Sequence, residues 1–221
     1  MSERTARTER AEATKEQILS TAERLFAEHG LFAVSNRQVS EAAGQGNNAA
    51  VGYHFGTKTD LVRAIVRKHT EDVERLRVRL VEQTGDSTDV RDWIACFVHP
   101  FTRHLDELGA PTWFARFAAQ VMTDPGFRPI MAEEALTSPA LHEVLAGMDR
   151  CLPELPAEVR AERYDMVRQL IMHMCAERER ALAEATPTPR SGWHEAACGL
   201  IDAITGMWLA PATPPADDAR A

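Results

Sequence analysis

Strand signals are nearly missing from this 221-residue chain, which has two tyrosines, few β-branched runs and no Asn-Gly or Asp-Gly hairpin turn. A sheet-based fold is therefore not expected. No apolar run approaches the roughly 18–20 residues that a membrane span needs, which argues against a membrane partner. The first ten residues are charged with no apolar core behind them, so they do not read as a secretory signal. Cys96, Cys151, Cys175 and Cys198 are too widely spaced for a CxxC pair, and buried thiols in a reducing cytoplasm are the expectation. The chain also lacks HExxH, GxSxG, a phosphate-binding glycine loop and any Cys/His set at zinc spacing. His142-Glu143 and His194-Glu195 are isolated dipeptides. No catalytic residue, metal site or cofactor is expected.

Lysine is scarce too, and its placement is informative. All three, Lys15, Lys58 and Lys68, fall in the first 68 residues, which hold ten Lys/Arg against eight Asp/Glu. The rest of the chain carries fifteen against twenty-five, so the formal charge of −8 hides a mildly basic head on an acidic body. That asymmetry is compatible with a nucleic-acid-binding head.

Helix signals fill the space that strands leave. Thr14–Gln17, Ser35–Gln38 and Thr57–Asp60 each have the pattern of a capping box or helix start, and Gly30 and Gly44 sit at C-terminal positions. A long helix is expected over about 58–83, with others near 89–108, 111–123, 139–150, 157–185 and 192–209. At 1.5 Å per residue the first would reach about 39 Å and bridge head and body. Pro100 should kink or divide its helix. The Pro- and Ala-rich stretch 210–221 is expected to be a disordered tail. The fold class is all-α, with a three-helix head at 12–70 joined by the long helix to a body at 71–209.

Within the head, two short helices separated by Gly44-Gln-Gly-Asn47 have the layout of a helix-turn-helix. Asn47 would cap a helix over about 48–54. Asn47 and Asn48 carry amides suited to adenine, and Gln45 could reach a base edge or a phosphate. Phe26, Val39, Val51 and Phe55 are the expected core of this head.

The ordered combination of Ile18–Gly30, Val39–Gly44, Tyr53-His-Phe55, Lys58 and Leu61 resembles the N-terminal domain of TetR-type transcriptional regulators. The resemblance covers about residues 14–65. It implies a DNA-binding regulator, commonly a repressor, that binds a palindromic operator in double-stranded DNA as a homodimer. It also implies that Tyr53, His54 and Lys58 touch the DNA backbone while residues around Asn47–Ala50 read bases. The expected contact set is Arg37, Gln38, Gln45, Gly46, Asn47, Asn48, Ala49, Tyr53, His54, Thr57 and Lys58. Eight residues separate Gly44 from Tyr53, one more than the family's usual spacing, and the extra one is placed in the Gln45-Gly46 turn. An all-α enzyme and a helical adaptor without DNA binding are the alternatives.

Beyond about residue 70 composition alone speaks. Trp93, Phe97, Phe101, Trp113, Phe114, Phe117 and Met122 concentrate large apolar side chains; they and His173 are candidate walls of a pocket for an unidentified small-molecule effector. The resemblance implies a dimer interface on the last two helices, with Val167, Leu170, Met174, Leu200, Ile204, Met207 and Trp208 as its candidates. Intramolecular packing of the same residues is equally open.

Overall fold

The computed structural model describes residues 2–213, with side chains from Thr8 onward. Ten helices and no strand occur among the described residues, which bears out the all-α fold class. The head consists of α1 (Ser2–His29), α2 (Asn36–Ala42) and α3 (Ala50–Phe55), and α4 (Lys58–Thr84) leads out of it. The body adds α5 (Val90–Leu108), α6 (Phe114–Thr123), α7 (Arg128–Leu136), α8 (Pro139–Cys151), α9 (Ala157–Ala183) and α10 (Trp193–Leu209).

Two of the three N-terminal signals act as read. Ser35 Oγ accepts from Gln38 N while Gln38 Oε1 accepts from Ser35 N at 2.8 Å, and Thr57 and Asp60 repeat the exchange at the start of α4. The first signal does not start a helix. α1 already begins at Ser2, and Thr14 Oγ1 donates to Arg10 O at 2.9 Å in mid-helix. The residues upstream, rich in Ala, Glu and Arg, are good helix formers, so nothing obliges the chain to wait for a cap. Pro100 likewise fails to divide α5, which runs on from Val90 to Leu108 with Pro100 buried inside it.

One helix escaped the sequence reading altogether. Pro125 and Pro129 look like breakers, yet Pro129 occupies the first turn of α7, where its missing N–H costs no hydrogen bond. Of the C-terminal stretch, Ala210–Thr213 continues beyond α10 without helix; the expected disorder at 214–221 lies outside the described residues.

The core is continuous from head to body. Phe26, Val39 and Val51 are fully buried in the head and Phe55 packs against them, as the sequence reading expected. Phe26 also stacks on Phe117 of α6 at 6.1 Å between ring centroids, joining α1 directly to the body. The division expected at residue 70 falls inside α4, so no flexible linker separates the two parts.

At the far end of the body, a fully buried Trp93 lies flat against Gly147. A Cβ added there would sit 2.2 Å from the indole. Gly147→Ala should therefore destabilise the fold by about 1–3 kcal/mol through overpacking. This outweighs the ~1 kcal/mol by which Ala normally favours a helix interior. The urea midpoint measures the balance; a rise would mean that Trp93 can move aside freely.

Candidate nucleic-acid interface and body cavity

The angle between α2 and α3 is fixed by a buried hydroxyl. Ser40 Oγ donates to Asn36 O at 3.1 Å and accepts from Val51 N at 3.3 Å, while Ser40 O accepts from Gln45 N at 3.0 Å. Ser40 had no place in the sequence reading, because a serine in mid-helix gives no signal of a contact eleven residues away. Between the helices Gly44 adopts φ +66°, a backbone region that favours glycine, and so reverses the chain.

The turn is longer than expected and the helix after it correspondingly shorter. α3 starts at Ala50 rather than near Asn48, and its N-cap, Ala49, makes no side-chain cap. Asn47 instead folds back, its Oδ1 accepting from Ala49 N at 2.9 Å and its carbonyl from Ala50 N at 3.0 Å. The result is an Asx turn. Gly46, Asn47, Asn48 and Ala49 are all exposed, and Tyr53 is 82% exposed, its ring edge-on to His54 at 4.9 Å. An aromatic so open on a six-residue helix contributes little to the core.

Other members of the expected contact set have intramolecular partners. Gln45 Nε2 donates to Ala43 O at 3.0 Å, Arg37 Nε pairs with Glu41 at 2.8 Å, and Gln38 and Thr57 serve their capping boxes. Lys58 departs most from its expected role. Its ammonium turns inward, donating to Leu31 O and, at 2.7 Å, to Val34 O, and sits 5.5 Å from the centre of the Phe26 ring. Burial holds its pKa below the ordinary lysine value, with Asp124 partly opposing. A lysine in the first turn opposes the helix dipole. Here the carbonyls of the α1–α2 turn supply the compensation that a phosphate was expected to give.

Head and body meet through polar contacts as well as packing. Gln120 Nε2 donates to Ala27 O at 3.1 Å, and Arg63 and Arg67 of α4 pair with Glu133 and Glu134 of α7 at 2.7 and 2.9 Å. The most enclosed junction joins three helices. His69 of α4 lies 2.7 Å from Glu23 of α1 through Nε2 and 2.7 Å from His104 of α5 through Nδ1. All three residues are buried. A carboxylate only accepts, so His69 Nε2–H donates to it, while His69 Nδ1 and His104 Nε2 share one proton whose owner is set by the tautomers of the two rings. Burial pushes the His104 pKa down to about 4, and His69, Arg75 and Lys68 act in the same direction.

His69 also stacks on Phe114 at 3.8 Å between ring centroids, and Phe114 walls the principal cavity of the body. That cavity measures about 620 Å³ and lies among α4 to α9. Of the eight candidate wall residues, Phe97, Phe101, Phe114 and Met122 line it. The other four do not. Trp93 is buried and donates to Ser87 O at 3.0 Å, Phe117 packs on Phe26, Trp113 stands just before α6 without a side-chain cap, and His173 is exposed beside Gln169. The sequence reading missed the charged wall supplied by α4 and α7, including Arg67, Glu74, Arg77 and Glu134. Only the bridging role of α4 was legible, not which face it turns to the cavity.

The interface candidates separate by face. Val167, Leu200, Ile204 and Trp208 are core residues, because α10 packs chiefly on α5 and α9 on α6. Leu170 and Met207 are partly exposed, and Met174 is 53% exposed. Among the described residues no group of three or more His, Cys, Asp or Glu is placed to hold a metal ion, and no helix is long and apolar enough to cross a membrane.

A short helix-turn-helix on a helical body that encloses a cavity is the architecture of a one-component regulator. Residues 18–65 match the family model for bacterial regulatory proteins of the tetR family, and residues 95–207 match that for the tetracyclin repressor-like C-terminal domain. The second match alone spans half the chain, and the chain belongs to the TetR family of transcriptional regulators, which are not enzymes. The HTH-type transcriptional repressor AcnR of Corynebacterium diphtheriae is 32% identical over 117 residues, covering 52% of this chain and 53% of that protein. The HTH-type transcriptional dual regulator CecR of Shigella flexneri is 37% identical over 82 residues, covering 32% and 36%. The chain thus spans about half the length of the AcnR relative it matches. The TetR family regulator PfmR of Thermus thermophilus has a similar fold, with a TM-score of 0.54 and 19% identity over 85% of this chain and 96% of that one.

Proposed function

We propose that this chain is a cytoplasmic transcriptional repressor that binds a near-palindromic operator as a homodimer and is released by a small molecule held in the body cavity. The observation that carries the DNA-binding part is the exposed run 46–49 together with Tyr53, where the head itself has little use for the Asn48 and Tyr53 side chains. Asn48 at the tip of the turn is the base reader in this proposal, since an amide can pair bidentately with adenine. Tyr53 and His54 then lie along the backbone. Repression follows the AcnR likeness in the matched half of the chain.

Two copies would set their α3 helices in successive major grooves, about 34–36 Å apart. The dimer surface we assign is the outer face of α9, Met166, Leu170 and Met174, beside Gly199, Ala203 and Gly206 of α10. Large apolar side chains there are half exposed, and the small residues of α10 let a second helix approach closely.

Selection of bound DNA from a random pool should enrich a two-fold symmetric motif, and an unenriched pool would remove the proposal. Lys58 gives a second, sharper reading. Lys58→Met keeps the stem but uncaps Leu31 O and Val34 O, which should cost the head about 1–2 kcal/mol. The salt dependence of operator binding should stay unchanged, whereas a phosphate contact would lower its slope by about one ion.

A further inference from the structure

The cavity walls are chemically unequal. Phe97, Phe101, Phe114 and Met122 make one side apolar, while α4 brings guanidinium groups to the other. Arg77 is the most enclosed of these, with 11% of its side chain exposed. Only its Nη1 carries hydrogen bonds, to Glu74 Oε2 at 2.8 Å and Ser138 Oγ at 3.3 Å. Its Nε–H is buried with no partner among the described residues.

The apparent counter-ion is shared. Glu74 Oε2 also accepts from Ser138 Oγ, and Oε1 accepts from Ala140 N at 3.0 Å in the first turn of α8. The carboxylate therefore divides its charge between Arg77 and a helix N-terminus that is itself electropositive. Arg77 is left incompletely compensated, and burial lowers its pKa. Of the other acidic wall residues, Glu134 already has Arg67 at 2.9 Å and Arg63 at 3.6 Å, and Glu71 is exposed, where water screens its charge.

We propose that the cavity takes an amphipathic monocarboxylate, its head group on the Nε/Nη2 edge of Arg77 and its apolar part among Phe97, Phe101, Phe114 and Met122. That edge of a guanidinium, with Nη1 already engaged, is the one a carboxylate grips side-on through two parallel N–H bonds. A small turn of the side chain brings the occluded Nε–H to the ligand and ends its isolation. The volume lies within the range of cavities that enclose drug-sized ligands. This deepens the effector reading above and rests on it for its regulatory meaning, but not for its chemistry.

Calorimetry with 4-phenylbutanoate, 4-phenylbutan-1-ol and 4-phenylbutylamine, which share one apolar part, tests the choice of head group on the full chain. The acid should bind at least tenfold more tightly than the alcohol, and the amine more weakly than both. The double variant Glu74→Gln/Arg77→Met removes the fork without leaving an unpaired carboxylate, and Arg77→Lys keeps the charge without the fork. In both, the advantage of the acid should fall to within a few-fold of the alcohol while alcohol binding persists. Equal binding of acid and alcohol by the unaltered protein, binding of none of the three, or an acid advantage that survives in the double variant would each overturn the proposal. Operator titration separates the two layers. An acid that binds through Arg77 yet leaves operator affinity unchanged supports the site's chemistry and removes the effector role.

Discussion

Charging the outer face of α9 with Leu170→Asp and Met174→Asp should give a folded monomer whose operator affinity is at least about 100-fold lower. In the isolated subunit the cost is small, because Met174 is 53% exposed and Leu170 only partly covered. In a two-fold interface each substitution is met twice, and every aspartate is pressed into apolar surface without a partner. Uncompensated charge at a buried contact costs several kcal/mol, and here each protomer contributes it. Loss of the second half-site then forfeits the effective-concentration gain of tethered binding, typically 10²–10⁴-fold. Sedimentation, circular dichroism and operator titration on the same preparation read the three consequences. A variant that stays dimeric would place the interface elsewhere. Ile204→Asp is the contrasting case: Ile204 has no exposure at all, so its substitution should unfold the body rather than divide a dimer.

The contrast between Ile204 and Met174 indicates how much the sequence can say. Capping boxes are local, and the ones at Ser35 and Thr57 form as their spacing dictates. The head core follows from helical periodicity in the same way. What a helix packs against is not local. α10 is apolar on most sides, and both the stripe that meets α5 and the one left facing outward read as interface in one dimension. The cavity shows the same limit. Four of its apolar wall residues were legible because large side chains gather between Phe97 and Met122, but Arg77 looks like any other arginine on a long amphipathic helix. Lys58 marks a third limit, since the carbonyls of Leu31 and Val34 lie more than twenty residues away in sequence.

Removing His69 should be the most damaging single change at the junction of head and body. His69→Leu leaves the Glu23 carboxylate buried against an apolar side chain, and breaking a buried pair in this way costs about 3–5 kcal/mol. Glu23→Gln, which keeps a hydrogen-bonding group opposite His69 Nε2, should cost only about 1–2 kcal/mol. The same junction gives stability a defined dependence on pH. His104 has a pKa of about 4 in the fold against about 6.5 in the unfolded chain, so below 6.5 the unfolded state takes up a proton that the folded state refuses. The stabilisation is complete above pH 6.5 and is lost progressively as pH falls toward 4, by an amount on the order of 3 kcal/mol. His104→Phe should lower stability at pH 7.5, since His69 Nδ1 loses its hydrogen-bond partner, but should flatten the decline between pH 6.5 and 4.5. Urea unfolding of both proteins across that window measures the difference, and parallel curves would show that the proton is taken up elsewhere. Because His69 also stacks on Phe114, a cavity wall, the chain Phe114–His69–Glu23 is a continuous route from the cavity to α1, beside the aromatic one through Phe117 and Phe26. A ligand that shifts Phe114 would press on the His69 ring and on Phe117 together, and so on α1 through both.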